Sequence, residues 1–242
     1  MMRMHNFLKL FKGEMVRMVK YNILQVSLAV TVLWLLVIFL IGREQAPIFV
    51  PLFIFMDAAL MTIMLVGAGL FYEKQENTIK TLMITPSGYV AILSSKLLAA
   101  VYLALQSTVI ISVFSSLLFD VSIRFMALYL YVILITLAHA SIGYVFTAYA
   151  KDFNGLIAFV GLYMIVFAFP SLFFALGVFP ESWDMVLYFS PTHASLRLVN
   201  HGFMEVVPFW QRSLALVYLT SLAAGLMVFV VAPKYAETAI RE

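Results

Sequence analysis

The sequence contains no cysteine. That removes disulfide frameworks, thiolate metal sites and cysteine nucleophiles together, and leaves the redox compartment unreadable. Charge is the second scarcity. Only 11% of the 242 residues are Asp, Glu, Lys or Arg, less than half of the roughly 25% found in soluble domains. A net charge of +3 is too small to argue for a nucleic-acid partner, so where the charges sit matters more than their sum. The sequence also lacks a Gly-x-x-x-x-Gly-Lys-Ser/Thr loop, so no nucleotide hydrolysis is expected of this chain. A glycine-flanked nucleophilic serine and a potassium-type filter loop are missing too, and no repeat of roughly 20–50 residues is visible. A Ser–His pairing could come only from Ser141 with His139 or His193, and the chain is not expected to be an enzyme. What is present is apolar surface: 64% hydrophobic residues and a mean hydropathy of +1.03. This composition belongs to an integral membrane protein.

Six long uncharged runs follow one another: Tyr21 to Ile41, Glu44 to Glu73 (interrupted only by Asp57), Lys96 to Asp120, Arg124 to Lys151, Asp152 to Glu181, and Arg212 to Lys234. Each can cross a bilayer at about 20 residues per span. All must be helical, because lipid offers no partner for backbone N–H and C=O groups. A run such as Leu33-Trp34-Leu35-Leu36-Val37 does not alternate, which excludes a β-barrel. Pro170 is expected to kink or end the fifth span. The reading is an all-α integral membrane protein, residues 1–242 forming one transmembrane domain of six helices.

With both termini on one side, that side collects Arg3, Lys9, Lys12, Arg17, Lys20, Lys74, Lys80, Lys96, Lys151, Lys234 and Arg241. The other keeps Arg43, Arg124, Arg197 and Arg212. Eleven against four places both termini in the cytoplasm and the chain, multi-pass, in the cell (inner) membrane. The first run is too long for a cleaved signal peptide, and no small-residue cleavage site follows it. Ahead of it, Met4, Leu8, Phe11, Met15 and Met18 recur at helical spacing. Residues 1–20 thus read as an amphipathic helix in the inner headgroup region, either a simple anchor or a mechanical element. Gly67-Ala68-Gly69 and Gly155 with Gly161 are small-residue faces for close helix packing.

Two connections are long. The inner one, 72–90, carries Glu73 and Glu76 three residues apart, a short amphipathic stretch that Asn77 or Thr78 could cap, and a stop at Pro86. Glu73 and Glu76 share a face and are expected outside the hydrocarbon, without a His or third acid for a metal site. On residues alone, this is either a short helix at the cytoplasmic mouth or a solvated loop. The outer one, 177–210, carries Pro180-Glu181-Ser182-Trp183-Asp184, with Ser182 a candidate cap, and Ser190-Pro191 leading a second short helix with Arg197. Its plain alternative is an interfacial loop pinned by Trp183 and Trp210. Within the second span, Asp57 lies on a face with Phe53, Met61, Met64 and Ala68. A charge at bilayer depth costs about 2.5–3.5 kcal/mol, so Asp57 faces a cavity unless it is shallow enough to be wetted. His139 reads as an interhelical hydrogen-bond partner.

Glu73, Glu76, Thr78, Leu82, Thr85, Pro86 and Lys96 together resemble the cytoplasmic element of type-2 ABC transporter permeases, with Asn77 where that family usually has Gly. The 177–210 segment resembles the family's outer re-entrant hairpin, marked by Pro180, Pro191 and Arg197, with Ser190 in place of the usual Asn. The resemblance covers nearly the whole chain in span order. It implies that 72–90 is a coupling helix docking on a separate ATP-binding subunit, which would hold ATP and Mg. This chain would bind no cofactor or metal itself. It further implies pairing with a second permease copy or a paralogue within the lipid bilayer. The expected function is export of a hydrophobic drug-like, lipid or peptide substrate past Phe53, Asp57, Met61 and Met64. Two alternatives stand beside it: an ATP-independent secondary transporter or channel using Asp57, and a membrane immunity or scaffold protein that moves nothing.

Overall fold

The computed structural model of the chain describes residues 2–76 and 88–234; Thr78, Leu82, Thr85 and Pro86 lie outside them. Helix α1 runs Met2–Lys20 and α2 Ile23–Ile41. They are separated because Asn22 takes φ 58°, ψ 16°, the left-handed conformation that Asn tolerates better than most side chains. Gly42 ends α2 at φ 77°, its N–H reaching the Ile38 carbonyl at 3.2 Å. Helix α3 spans Ala46–Gln75, with a proline in its first turn, where the missing N–H costs nothing. Then come α4 (Gly88–Phe119), α5 (Phe125–Tyr149) and α6 (Phe153–Ala175). The Asp152 carboxylate caps α6 by accepting from the Gly155 N–H at 2.7 Å. A 3₁₀ turn at Glu181–Trp183 leads to α7 (Asp184–Leu187), α8 (Pro191–Gly202) and α9 (Phe209–Lys234).

Helices α2 to α6 and α9 are the six that are long and apolar enough to cross a membrane among the described residues. They coincide with the six uncharged runs, and no strand occurs among those residues. Helix α3 is the most enclosed, two thirds of its apolar window being buried, against 17% for α9 and 22% for α2. The main core therefore gathers around α3 and α5, through Ile54, Phe55, Leu128 and Ile135, with Leu198 of α8 and Leu219 of α9 joining it. Helices α2, α6 and α9 present apolar side chains outward, such as Leu40, Ile165 and Phe229.

Pro170 does not end the fifth span. A π-helical stretch over Met164–Ala168 precedes it and the helix continues to Ala175. Widening the coil accommodates the missing N–H and the proline ring, which would otherwise clash with the carbonyl four residues back. One close helix contact falls at a glycine outside the expected small-residue faces. A Cβ on Gly143 would stand 3.1 Å from the Ile63 carbonyl oxygen, so α3 and α5 meet backbone to backbone. Gly67 packs on Leu156 as a small-residue face should, whereas Gly155 serves the Asp152 cap and Gly161 faces open space.

Helix α1 packs against α4 and α2. Glu14 is buried on the packed side, while Leu8, Val16 and Val19 are exposed. Glu14 and Arg17 turn α1 inward because their ion-pair partners lie on α3 and α4.

Candidate functional site

At the end of the bundle that holds Lys20, four charges from three helices meet. Lys96 of α4 pairs with Glu73 of α3 and, at 3.0 Å, with Glu14 of α1. Arg17 pairs with Glu14 and, at 3.3 Å, with Glu73. Glu14, Glu73 and Lys96 are all buried. Two acids and two bases cancel, which is what allows such groups to be buried. Burial pulls the Arg17 guanidinium down, but Glu14 and Glu73 outweigh it and hold Arg17 above its ordinary value. A cavity of about 40 Å³ adjoins the cluster, room enough for ordered water.

The expectation that Glu73 and Glu76 share one solvated face is corrected here. Glu73 turns inward to Lys96. Glu76, at the exposed end of α3, accepts from Lys20 Nζ at 2.7 Å and from the Tyr21 hydroxyl at 2.8 Å, which hold its carboxyl below the usual range. A third acid, Glu14, does approach Glu73, and Lys96 and Arg17 take up its oxygens. Lys74 donates to the Thr147 carbonyl at 2.9 Å, tying the ends of α3 and α5. The residues flanking 77–87 are thus anchored to α1, to the turn after it, to α4 and to α5.

Midway along α3, Asp57 sits in a π-helical stretch, Met56–Met61, and is buried. Such stretches recur at functional positions because they re-aim side chains. The Ser107 hydroxyl of α4 lies beside the Asp57 carboxylate and accepts from Thr31 of α2 at 3.0 Å. Phe53 is buried and stacks on Trp34 at 4.6 Å between centroids, while Met61 and Met64 are half-buried. His139 does bond between helices. Its Nδ1 donates to the Ile135 carbonyl at 2.9 Å, which leaves Nε2 to accept from the Tyr163 hydroxyl of α6 at 3.1 Å.

At the Arg43 end, the segment between α6 and α9 folds into the bundle. Helix α8 is too short to span, yet it is buried along most of its length and packs on α3, α5 and α9. Ser182 caps nothing. Its neighbour Asp184 instead joins three elements, accepting from His193 at 2.8 Å, Arg197 at 2.6 Å and Gln211 at 2.9 Å. Burial pushes Asp184 up, but Arg197 and His193 outweigh it and hold it below the usual carboxylate range. His193 is held below its ordinary value, chiefly by burial. The start of α8 is fixed to α6 by hydroxyls. Thr192 and Ser171 donate to the Phe167 carbonyl at 2.6 and 2.7 Å, and Ser190 lies 2.6 Å from Thr192. Phe167 belongs to the π-helical stretch ahead of Pro170. Pro180 leads the 3₁₀ turn and Pro191 opens α8. A cavity of about 370 Å³ lies at this end, among Pro47, Pro51, Ala175, Asn200 and Phe203.

The class these observations define is a polytopic all-helical membrane protein, its charged networks confined largely to the two ends of the bundle. No family model matches the sequence, and no solved structure is found to match it. Two curated relatives do. They are the fluoroquinolones export permease proteins of Mycobacterium tuberculosis strains CDC 1551 / Oshkosh and ATCC 25618 / H37Rv, each 26% identical over 215 residues, covering 88% of both chains. The six apolar helices and these relatives support a membrane transport permease, in keeping with the resemblance to type-2 ABC permeases.

Proposed function

We propose that the chain is the transmembrane subunit of an ATP-driven exporter, energised by a separate ATP-binding subunit and completed by a second permease copy. The observation that carries this reading is the similarity to export permeases across 88% of both chains. The Lys20 end faces the cytoplasm, by its excess of basic residues, and α1 lies along that surface. Segment 72–90 is the coupling element. Glu73 and Glu76 hold its near flank, Lys96 follows its far flank, and Thr78, Leu82, Thr85 and Pro86 form the part that meets the ATPase. A push on that segment passes directly into α1, α3 and α4 through the buried charges.

The 177–210 segment is the outer re-entrant hairpin, with Pro180, Pro191 and Arg197 at its turns and its hub. The substrate is a flat, drug-like amphiphile of the kind named for the relatives. Met61 and Met64 form the adaptable part of its path; Phe53 and Asp57 are closed off in this conformation, and substrate reaches them only after α2 and α4 part. Affinity purification of the tagged permease, co-expressed with candidate ATPases from the same genome, tests the partnership. Stoichiometric recovery of one ATPase, with hydrolysis stimulated by the permease, is expected; recovery of none would refute the proposal.

A further inference from the structure

Two arginines at the Arg43 end converge on one histidine. Arg124 precedes α5 and Arg212 lies in the first turn of α9. Their Nη1 atoms stand 2.9 and 2.8 Å from the same atom, Nε2 of His201. Guanidinium only donates, so Nε2 accepts and Nδ1 carries the proton, directed at the Tyr131 hydroxyl at 3.1 Å. Burial and both arginines hold His201 below its ordinary value, keeping it neutral. One lone pair therefore faces two cations that repel each other.

No carboxylate lies within ion-pair reach of either arginine among the described residues. Arg43 takes Asp120, while Arg197 takes Asp184 and Glu205. The pair is nevertheless held in place. The Arg124 N–H donates to the Gly202 carbonyl at 2.8 Å, and the Arg212 guanidinium lies over the Phe209 ring. Arg124 is exposed. Beside the pair in sequence, Met126, Val206 and Phe209 are at least 74% exposed. Cations bordered by bare apolar side chains at the ends of two spans mark the boundary between hydrocarbon and headgroups.

We propose that Arg124 and Arg212, set by His201, bind the phosphodiester of a phospholipid headgroup in the leaflet at this end. The phosphate supplies the acceptor oxygens and the negative charge that the protein does not, and the acyl chains lie on Phe209 and Val206. A free anion has the same oxygen chemistry, but it would leave that apolar rim bare. The inference does not rest on the transport reading; it requires only that the spans sit in a bilayer.

Native mass spectrometry of the purified protein, titrated with phosphatidylglycerol, reads the site. At about fivefold per arginine near a membrane surface, Arg124→Gln with Arg212→Gln is expected to weaken the tightest lipid site about 25-fold. Arg43→Gln, which removes an arginine that has its own acid at the same end, should change it less than about twofold. Equal weakening by Arg43→Gln would reduce the effect to general surface charge and overturn the site. Should the double variant fail to fold, competition in the unmodified protein decides. Inorganic phosphate or benzoate is expected to displace the lipid only in large excess. Displacement at equal concentration would show a free-anion site and overturn the proposal.

Discussion

The buried charge cluster can be taken apart one member at a time. Glu73→Gln leaves Lys96 and Arg17 facing Glu14 alone, and Lys96→Met leaves two carboxylates facing Arg17 alone. Each strands one net charge in a buried site. At about 3 Å and an effective dielectric near 20, a pair interacts by roughly 5 kcal/mol before desolvation, and breaking a buried pair typically costs about 3–5 kcal/mol. For a chain of this size that corresponds to a fall in apparent Tm of roughly 6–20 °C. The double variant restores neutrality, with Glu14 and Arg17 still paired, and should recover most of the loss. Thermal unfolding in detergent, followed by intrinsic tryptophan fluorescence, gives the four values of the cycle. Glu76→Gln touches only exposed contacts with Lys20 and Tyr21 and should leave Tm unchanged within scatter. If the two single losses simply add in the double variant, or if Glu73→Gln matches Glu76→Gln, Glu73 is not coupled to Lys96 and the reasoning fails.

Three further outcomes are expected. Gly143→Val should lower expression and Tm sharply, because the Ile63 backbone cannot give way, whereas Gly161→Ala, built into open space, should be neutral or stabilising by up to about 1 kcal/mol. Stability should fall on acidification in two stages. His193 and His201 are held below their ordinary value of 6.5, so the unfolded chain binds protons first and stability declines as pH drops below that value. Asp184, held below 3.8, contributes stability that is lost only as pH falls through its folded value. His193→Gln with His201→Gln should shrink the first stage in a pH series of melting curves. Asp57→Asn should retain ATP-dependent flux with an altered substrate profile, since the energy comes from the partner ATPase and not from protonation of Asp57; complete loss of flux, with dependence on a proton gradient in the parent, would favour the secondary-transporter alternative.

The spans were legible because a membrane helix writes itself as a long uncharged run bounded by charges, and lipid permits no other backbone solution. Chain breaks such as Gly42 and the Asp152 cap rest on local chemistry, although only the structure marks them out. What stayed hidden depends on which helices face each other. Glu73 lies at the end of a span, where solvent is the default, and only the arrival of Glu14, Arg17 and Lys96 from other helices draws it inward. Gly143 and Gly161 look alike in sequence, but one meets the backbone of α3 and the other meets nothing. Pro170 signals a break, yet the hydroxyls of Ser171, Ser190 and Thr192 bind the Phe167 carbonyl in the distorted turn. Asp184 draws no attention beside the Ser182 cap candidate, although its partners His193 and Arg197, one turn apart on α8, are open to inspection in the sequence. The convergence of Arg124 and Arg212 on His201 left no signal at all, since those residues lie far apart in sequence.

The most direct test of an ATP-driven permease is transport by inverted membrane vesicles containing this chain with its ATPase partner. Added ATP is predicted to drive accumulation of a fluorescent fluoroquinolone, which should persist under a protonophore and vanish when either subunit is omitted. Accumulation that needs no ATPase and collapses with the proton gradient would contradict the account.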